Sequence, residues 1–313
     1  MPLDPQVESL LANFRKMRGK PVHEMSPREA RFAGWAWKYL MGDPEPVADI
    51  SYQFVPGPSA DLPVRIYRPA AAGSDPAPAL IYFHGGGFVL GNLEICDPFC
   101  RTVANRTGCV VIAVNYQKAP EHKFPVPLDD CYAATEWVFY WAETLKIDPQ
   151  RIGVFGDSAG ANLAAAVALR ARDEQGPAIA WQLLAYPCVR YAWDSSSAHE
   201  HAEGYTLERA GMEYFWKHYV RSPDDGEDPL CAPLAADSHA GLPPALIICA
   251  EYDPLLDDGR DYAAKLTAAG VSTSLSIYEG MPHGFLWMAG VVDRTGAALD
   301  EIAAAAREVL RSA

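Results

Sequence analysis

Residues 153–162 read GVFGDSAGAN, a serine between two glycines, with an apolar run before it and an Ala/Leu-rich stretch after it. Gly156-Asp157-Ser158-Ala159-Gly160 is a G-x-S-x-G pattern, which at a strand-to-helix turn presents the serine hydroxyl as a nucleophile. The turn has to be sharp, and side chains two residues either side of the serine would collide. Gly156 and Gly160 keep that crossing open. The helix that begins there aims free N–H groups and the positive end of its dipole at the hydroxyl. The Ala159 amide is therefore a candidate donor to a developing oxyanion.

His84-Gly85-Gly86-Gly87 ends the apolar run ALIYF. Consecutive glycines let backbone amides approach a substrate with no Cβ in the way, so Gly85, Gly86 and Gly87 are candidates for the other oxyanion donors. The segment does not have the G-x-G-x-x-G spacing of a dinucleotide loop, and no phosphate-binding lysine follows it. His84 precedes the serine and reads as a strut for this loop rather than as a base.

A nucleophilic serine needs a base, and the base needs an acid to orient it. With a serine at such an elbow the chain order is serine, acid, histidine. His199, His201, His218, His239 and His283 all follow Ser158. The first three fall in an irregular interval and His239 in its return loop, whereas His283, in GMPHGF, follows the last strand-like run, TSLSIY. Glu251, Asp253, Asp257 and Asp258 compete for the acid after ALIICA. Glu251 is too near the strand end, and Asp257 and Asp258 fall inside the next helix. Asp253, just before Pro254, is the expected acid, with a helix N-cap as its other reading. His199-Glu200-His201 offers two imidazoles and no third ligand at a recognisable spacing, so no metal is expected.

These residues need a scaffold. Strand-like runs lie at 50–55, 62–69, 79–83, 109–115, 151–155, 181–187, 245–250 and 273–278. From 79 onward they alternate with helical segments near 94–107, 127–146, 158–175, 255–269 and 297–312. The alternation predicts an α/β fold with a mostly parallel sheet covered by helices on both faces, the first two runs forming an antiparallel hairpin at its edge. Amphipathic helices are expected at 4–20 and 27–41, the second opened by Ser26-Pro27. The interval between the runs ending near 187 and starting near 245 is far longer than a βα unit needs and holds a helical stretch at 206–220. It reads as an insertion that caps the carboxyl edge of the sheet, where open α/β sheets place their sites. The expected organisation is 1–48 as N-terminal cap helices, 49–187 and 222–313 as the catalytic domain, and 188–221 as the cap insertion. Phe32, Trp35, Trp37, Tyr205, Tyr214, Phe215 and Trp216 supply aromatic side chains for an apolar pocket or for the core.

The chain has 313 residues, 50% of them hydrophobic, and a net charge of −14. That acidity argues against nucleic acid as a partner. No stretch approaches the roughly 20 apolar residues of a membrane span, and the N-terminus lacks a secretory pattern. The 7 cysteines are scattered and form no CxxC pair, as in reduced cytoplasmic proteins.

FHGGGFVLGNLEICD, VNYQKAPEHKFPVPLDD, RIGVFGDSAGANLA, AEYDPLLDDG and GMPHGF resemble, in this order, the motifs of the bacterial hormone-sensitive-lipase-like esterases of the α/β-hydrolase fold. The GDSAG form of the elbow resembles their larger subgroup. The resemblance implies a cap over a mostly parallel eight-stranded sheet and hydrolysis of carboxylic esters without a cofactor. It places Ser158, Asp253 and His283 on the triad, and Gly86, Gly87 and Ala159 on the oxyanion hole, with Gly85 close by. It also implies that the glycine-rich loop accepts esters of tertiary alcohols. Gln117-Lys118 departs from the family's usual Arg-Leu, and the effect is expected on packing. The substrate expected is a small ester of short to medium acyl chain, and a homodimer is compatible with the sequence. Amide hydrolysis on the same triad is the rival activity. A non-catalytic small-molecule receptor is the rival outside enzymes, and the presence of His283 argues against it.

Overall fold

The structure is a computed structural model and describes residues 2–17, 19–73 and 75–310. Its sheet is built from β1 (Asp49–Pro56), β2 (Asp61–Arg68), β3 (Ala77–Phe83), β4 (Val110–Val114), β5 (Ile147–Asp157), β6 (Trp181–Ala185), β7 (Ala245–Tyr252) and β8 (Thr273–Pro282). The strand order is β1-β2-β4-β3-β5-β6-β7-β8. β1 and β2 form the expected antiparallel hairpin and β2 runs antiparallel to β4, while the remaining pairs are parallel.

The helices are α1 (Pro5–Met17), α2 (Pro27–Ala33), α3 (Trp37–Leu40), α4 (Leu93–Thr107), α5 (Val126–Tyr140), α6 (Ala159–Asp173), α7 (Ser196–Glu200), α8 (Arg209–Tyr219), α9 (Leu256–Ala268) and α10 (Arg294–Val309). Ser26 and Glu29 form a reciprocal capping box that starts α2. The helix expected over 27–41 does not run through. It tightens into a 3-10 turn at Gly34–Ala36, and α3 restarts beyond it; glycine, the weakest helix former after proline, sits at the break. α5 ends at Tyr140 rather than 146, because the chain turns to deliver buried Ile147 into β5. α7 was not expected from the sequence. Residues 311 and 312, in the predicted last helix, and Arg18, in the first, lie outside the described residues.

Strand alternation builds the core in two layers. Ala79, Ile81 and Phe83 of β3 face one cluster with α5, α6 and α9, while Leu80 and Tyr82 face the other with α4 and α10. β4 and β7 divide in the same way. The order reverses at β3, whose neighbours are β4 on one side and β5 on the other, and this switch point positions the site. Phe83 pairs with Gly156, so the loop after β3 and the turn after β5 leave the sheet side by side.

Candidate active site

Ser158 sits between β5 and α6 at φ 54°, a left-handed backbone that a residue with a Cβ holds only under strain. The surrounding packing enforces it. A Cβ on Gly156 would overlap the Gly160 carbonyl, and a Cβ on Gly160 would overlap the Phe83 carbonyl. The Ser158 N–H donates to Ala185 O at 2.8 Å, tying the turn to β6. The hydroxyl makes no capping bond to α6. It lies 2.9 Å from His283 Nε2, and His283 Nδ1 lies 2.7 Å from Asp253 Oδ2. Asp253 accepts at Nδ1–H, which leaves Nε2 free to take the serine proton.

Asp253 is fully buried, and its other oxygen, Oδ1, accepts the Leu255 N–H at 2.9 Å. It orients the imidazole and braces the turn ahead of α9, but it is not the helix N-cap: Leu255 holds that position, without a side-chain cap. Thr206 Oγ1 donates to the His283 carbonyl at 2.6 Å, and the Tyr186 ring packs edge-on against the imidazole with centroids 4.8 Å apart. Tyr186 was not singled out in the sequence. Its position at the end of β6, with φ 35°, is what brings it there.

Among the described residues, the backbone N–H groups of Gly86, Gly87 and Ala159 have no hydrogen-bond partner. Gly85 corrects the expectation, since its N–H is already donated to Asp157 Oδ1 at 2.9 Å and is not available to an oxyanion. Asp157 is a second residue that sequence reasoning passed over. It also accepts from Tyr82 Oη at 2.5 Å and from Trp287 Nε1 at 3.0 Å, and burial raises its pKa. The available signal was an acid directly after the apolar stretch Ile152–Phe155 and Gly156, at the buried end of β5, a position where a carboxylate is retained only with partners. His84 is buried, stacked on Tyr116 with centroids 4.5 Å apart, and its Nδ1 is 2.8 Å from Gly85 O. Burial, helped by the Lys118 charge, pushes its pKa down to about 3, so it stays neutral and fits the strut role. Lys118, one of the two unusual residues after Tyr116, donates to Asn115 Oδ1 and the Tyr116 carbonyl.

Ser158 and His283 open into a cavity of about 590 Å³. Its far walls come from the N-terminal segment and from the interval around α8, which meet each other: Arg15 Nη2 donates to Gly204 O at 2.9 Å. Of the aromatic candidates, Trp37, Tyr205, Phe215 and Trp216 line it, and Trp216 is also part of the buried core. Phe32 and Trp35 instead face solvent, 82% and 40% exposed, and Tyr214 packs edge-on against Phe215 outside the lining. His199 lies against Arg209 at 3.3 Å, and His201 packs against the rings of Tyr205 and Tyr252, which also touch each other.

A doubly wound sheet with a serine elbow, a glycine loop beside it and an acid–histidine pair directly after the last two strands defines an α/β hydrolase. Residues 80–287 match the family described by the alpha/beta hydrolase fold. The carboxylesterase NlhH of Mycobacterium tuberculosis is 41% identical over 255 residues, covering 80% of this chain and 80% of its own. The ethyl acetate hydrolase of Pseudomonas putida is 36% identical over 305 residues, covering 94% of this chain and 95% of its own. A thermostable esterase of Pseudomonas putida has a crystal structure that superposes with a TM-score of 0.96 at 30% identity, covering 100% of this chain and 99% of that one. The chain belongs to the hormone-sensitive-lipase-like esterases of the α/β-hydrolase family, as its ordered motifs imply.

Proposed function

We propose that this protein is a serine carboxylesterase that hydrolyses short- to medium-chain esters through an acyl-enzyme, with Ser158, His283 and Asp253 as its triad. The observation that carries the reading is the continuous chain from Ser158 Oγ through the imidazole to Asp253, with three unpartnered amides on the adjoining glycine loop and serine turn. Ser158 Oγ attacks the ester carbonyl carbon while its proton passes to His283 Nε2. The carbonyl electron pair moves to oxygen and is held by the N–H groups of Gly86, Gly87 and Ala159. As the tetrahedral species collapses, Nε2–H protonates the leaving alkoxide and the acyl group stays on Oγ. Water then enters, gives its proton to Nε2 and releases the acid by the reverse of these steps. Asp253 fixes the tautomer and stabilises the imidazolium without taking the proton.

The cap in this reading consists of 1–48 and 188–221. The contacts between α8 and the Val22–Glu24 turn support it. A cytoplasmic location belongs to the same proposal, supported by seven buried cysteines with free thiols. Among the described residues, no helix is long and apolar enough to cross a membrane. Matched substrates test the activity: ethyl acetate should be hydrolysed at a rate far above that of N-ethylacetamide. Comparable kcat/KM for the two would place the enzyme among amidases instead.

A further inference from the structure

The two loops beside the reacting groups each carry a glycine in the left-handed region, and each glycine is covered by an aromatic residue from a different part of the chain. Gly87, in the oxyanion loop, has φ +60°, and a Cβ there would lie 2.6 Å from Phe215 Cδ2 and nearer still to Cγ and Cδ1. Gly284, next to His283, has φ +77°, and a Cβ there would lie 3.0 Å and 3.1 Å from Trp37 Cζ3 and Cη2. Each ring therefore rests on backbone that has no side chain of its own. Both rings line the cavity that opens at Ser158. They are anchored independently: Phe215 packs with the core layer under α5 and α6, and Trp37 with the layer under α4 and α10.

Reaction geometry gives the two walls different partners. The leaving oxygen has to come within hydrogen-bond reach of His283 Nε2 to receive its proton, so the alcohol group extends over the His283–Gly284 side, toward Trp37. The carbonyl oxygen points at the free amides of Gly86, Gly87 and Ala159. The acyl substituent takes the remaining in-plane direction, away from His283 and past Gly87, toward Phe215. We infer that Trp37 limits branching in the alcohol and Phe215 limits branching in the acyl group, so that the N-terminal segment and the insertion each control one half of the ester. This inference rests on the serine-esterase reading above and adds to it which residue meets which half of the substrate.

Three esters separate the halves: ethyl acetate, ethyl pivalate with a branched acyl group, and tert-butyl acetate with a branched alcohol. For each enzyme, kcat/KM on the two bulky esters is divided by kcat/KM on ethyl acetate, which cancels any loss of active enzyme. A methyl group too many against an apolar wall costs about 10- to 200-fold in rate. Phe215→Ala should accordingly raise the pivalate ratio by about tenfold or more and leave the tert-butyl ratio within about twofold. Trp37→Ala should do the reverse. Phe215→Leu and Trp37→Leu, which keep more of the packing, should shift the same ratios in the same directions by smaller factors. Exchange of the two patterns, equal shifts in both ratios, or no shift in either would overturn the assignment. Absence of Ser158-dependent ester hydrolysis in the wild type would be a different failure, that of the functional reading on which the assignment rests.

Discussion

The Asp157 carboxylate accepts the Gly85 N–H at 2.9 Å, so the residue preceding Ser158 holds the glycine loop beside it. The same carboxylate is pinned by Tyr82 Oη and Trp287 Nε1. The glycine loop is thus fixed to the serine turn by a buried acceptor. Fixing matters because oxyanion donors act by being placed before the charge develops.

Asp157→Asn turns one acceptor oxygen into an NH2 group that faces donors. The variant should lose kcat on ethyl acetate by about a hundredfold, a loss comparable to removing one oxyanion donor, with KM little changed. Its stability should fall by about 1–3 kcal/mol, the cost of a buried polar group left unsatisfied. Steady-state kinetics and urea unfolding check both. An unchanged kcat would show that the loop holds its position without this carboxylate.

Gly87→Ala should depress kcat/KM on every ester, small or bulky. The new methyl group meets the Phe215 ring, and the residue has to keep φ at +60°. Adding Phe215→Ala to this variant should restore part of the activity, because the double change removes the collision and leaves only the backbone strain. A double variant no better than Gly87→Ala would attribute the whole loss to backbone conformation.

The juxtaposition of Ser158, His283 and Asp253 was legible because it depends on local chemistry. Ser158 needed glycines at 156 and 160, and both glycines occupy places where a Cβ has no room. His283 and Asp253 followed from chain order and from strands that read clearly as apolar runs. The engagement of the Gly85 amide was not legible, since it depends on the parallel pairing of β3 with β5 and on where the Asp157 side chain points across it. The same limit explains the aromatic candidates. Trp35 and Trp37 are two residues apart, and only the 3-10 turn at Gly34–Ala36 decides that Trp37 faces the cavity while Trp35 faces water. Composition and periodicity carry no information on that choice.

Arg31 on α2 ties the N-terminal segment to the core through Val89 O at 2.9 Å, Ala119 O at 2.8 Å and the Glu121 carboxylate. The Arg31 hydrogen bonds and charge lower the Glu121 pKa to about 2. A carboxylate whose folded pKa is depressed contributes stability above its unfolded pKa, about 4.3, and loses that contribution as pH falls toward the folded value. The stability difference between wild type and Glu121→Gln should therefore be constant near neutrality and shrink between about pH 4.5 and 2. The pair is partly exposed, so the difference should be small and weaken with salt. Urea midpoints measured across this range for both proteins give the slope. A difference that grows on acidification would contradict the assignment.

The cavity of about 590 Å³ accommodates a small ester. With p-nitrophenyl esters, kcat/KM should be highest within acyl chains of about two to eight carbons and fall beyond them, with no jump in rate above the solubility limit. Efficient hydrolysis of emulsified long-chain triglyceride would contradict a bounded acyl pocket.

The central claim is that Ser158 is the nucleophile, and covalent trapping tests it most directly. Wild-type enzyme treated with a p-nitrophenyl alkylphosphonate should release one equivalent of p-nitrophenol and lose its esterase activity. Peptide mass spectrometry should then find the phosphonyl group on Ser158 alone. Ser158→Ala should fold normally, take up no label and retain no more than a trace of activity. Stoichiometric label on any other residue, or an alanine variant with wild-type turnover, would contradict the account.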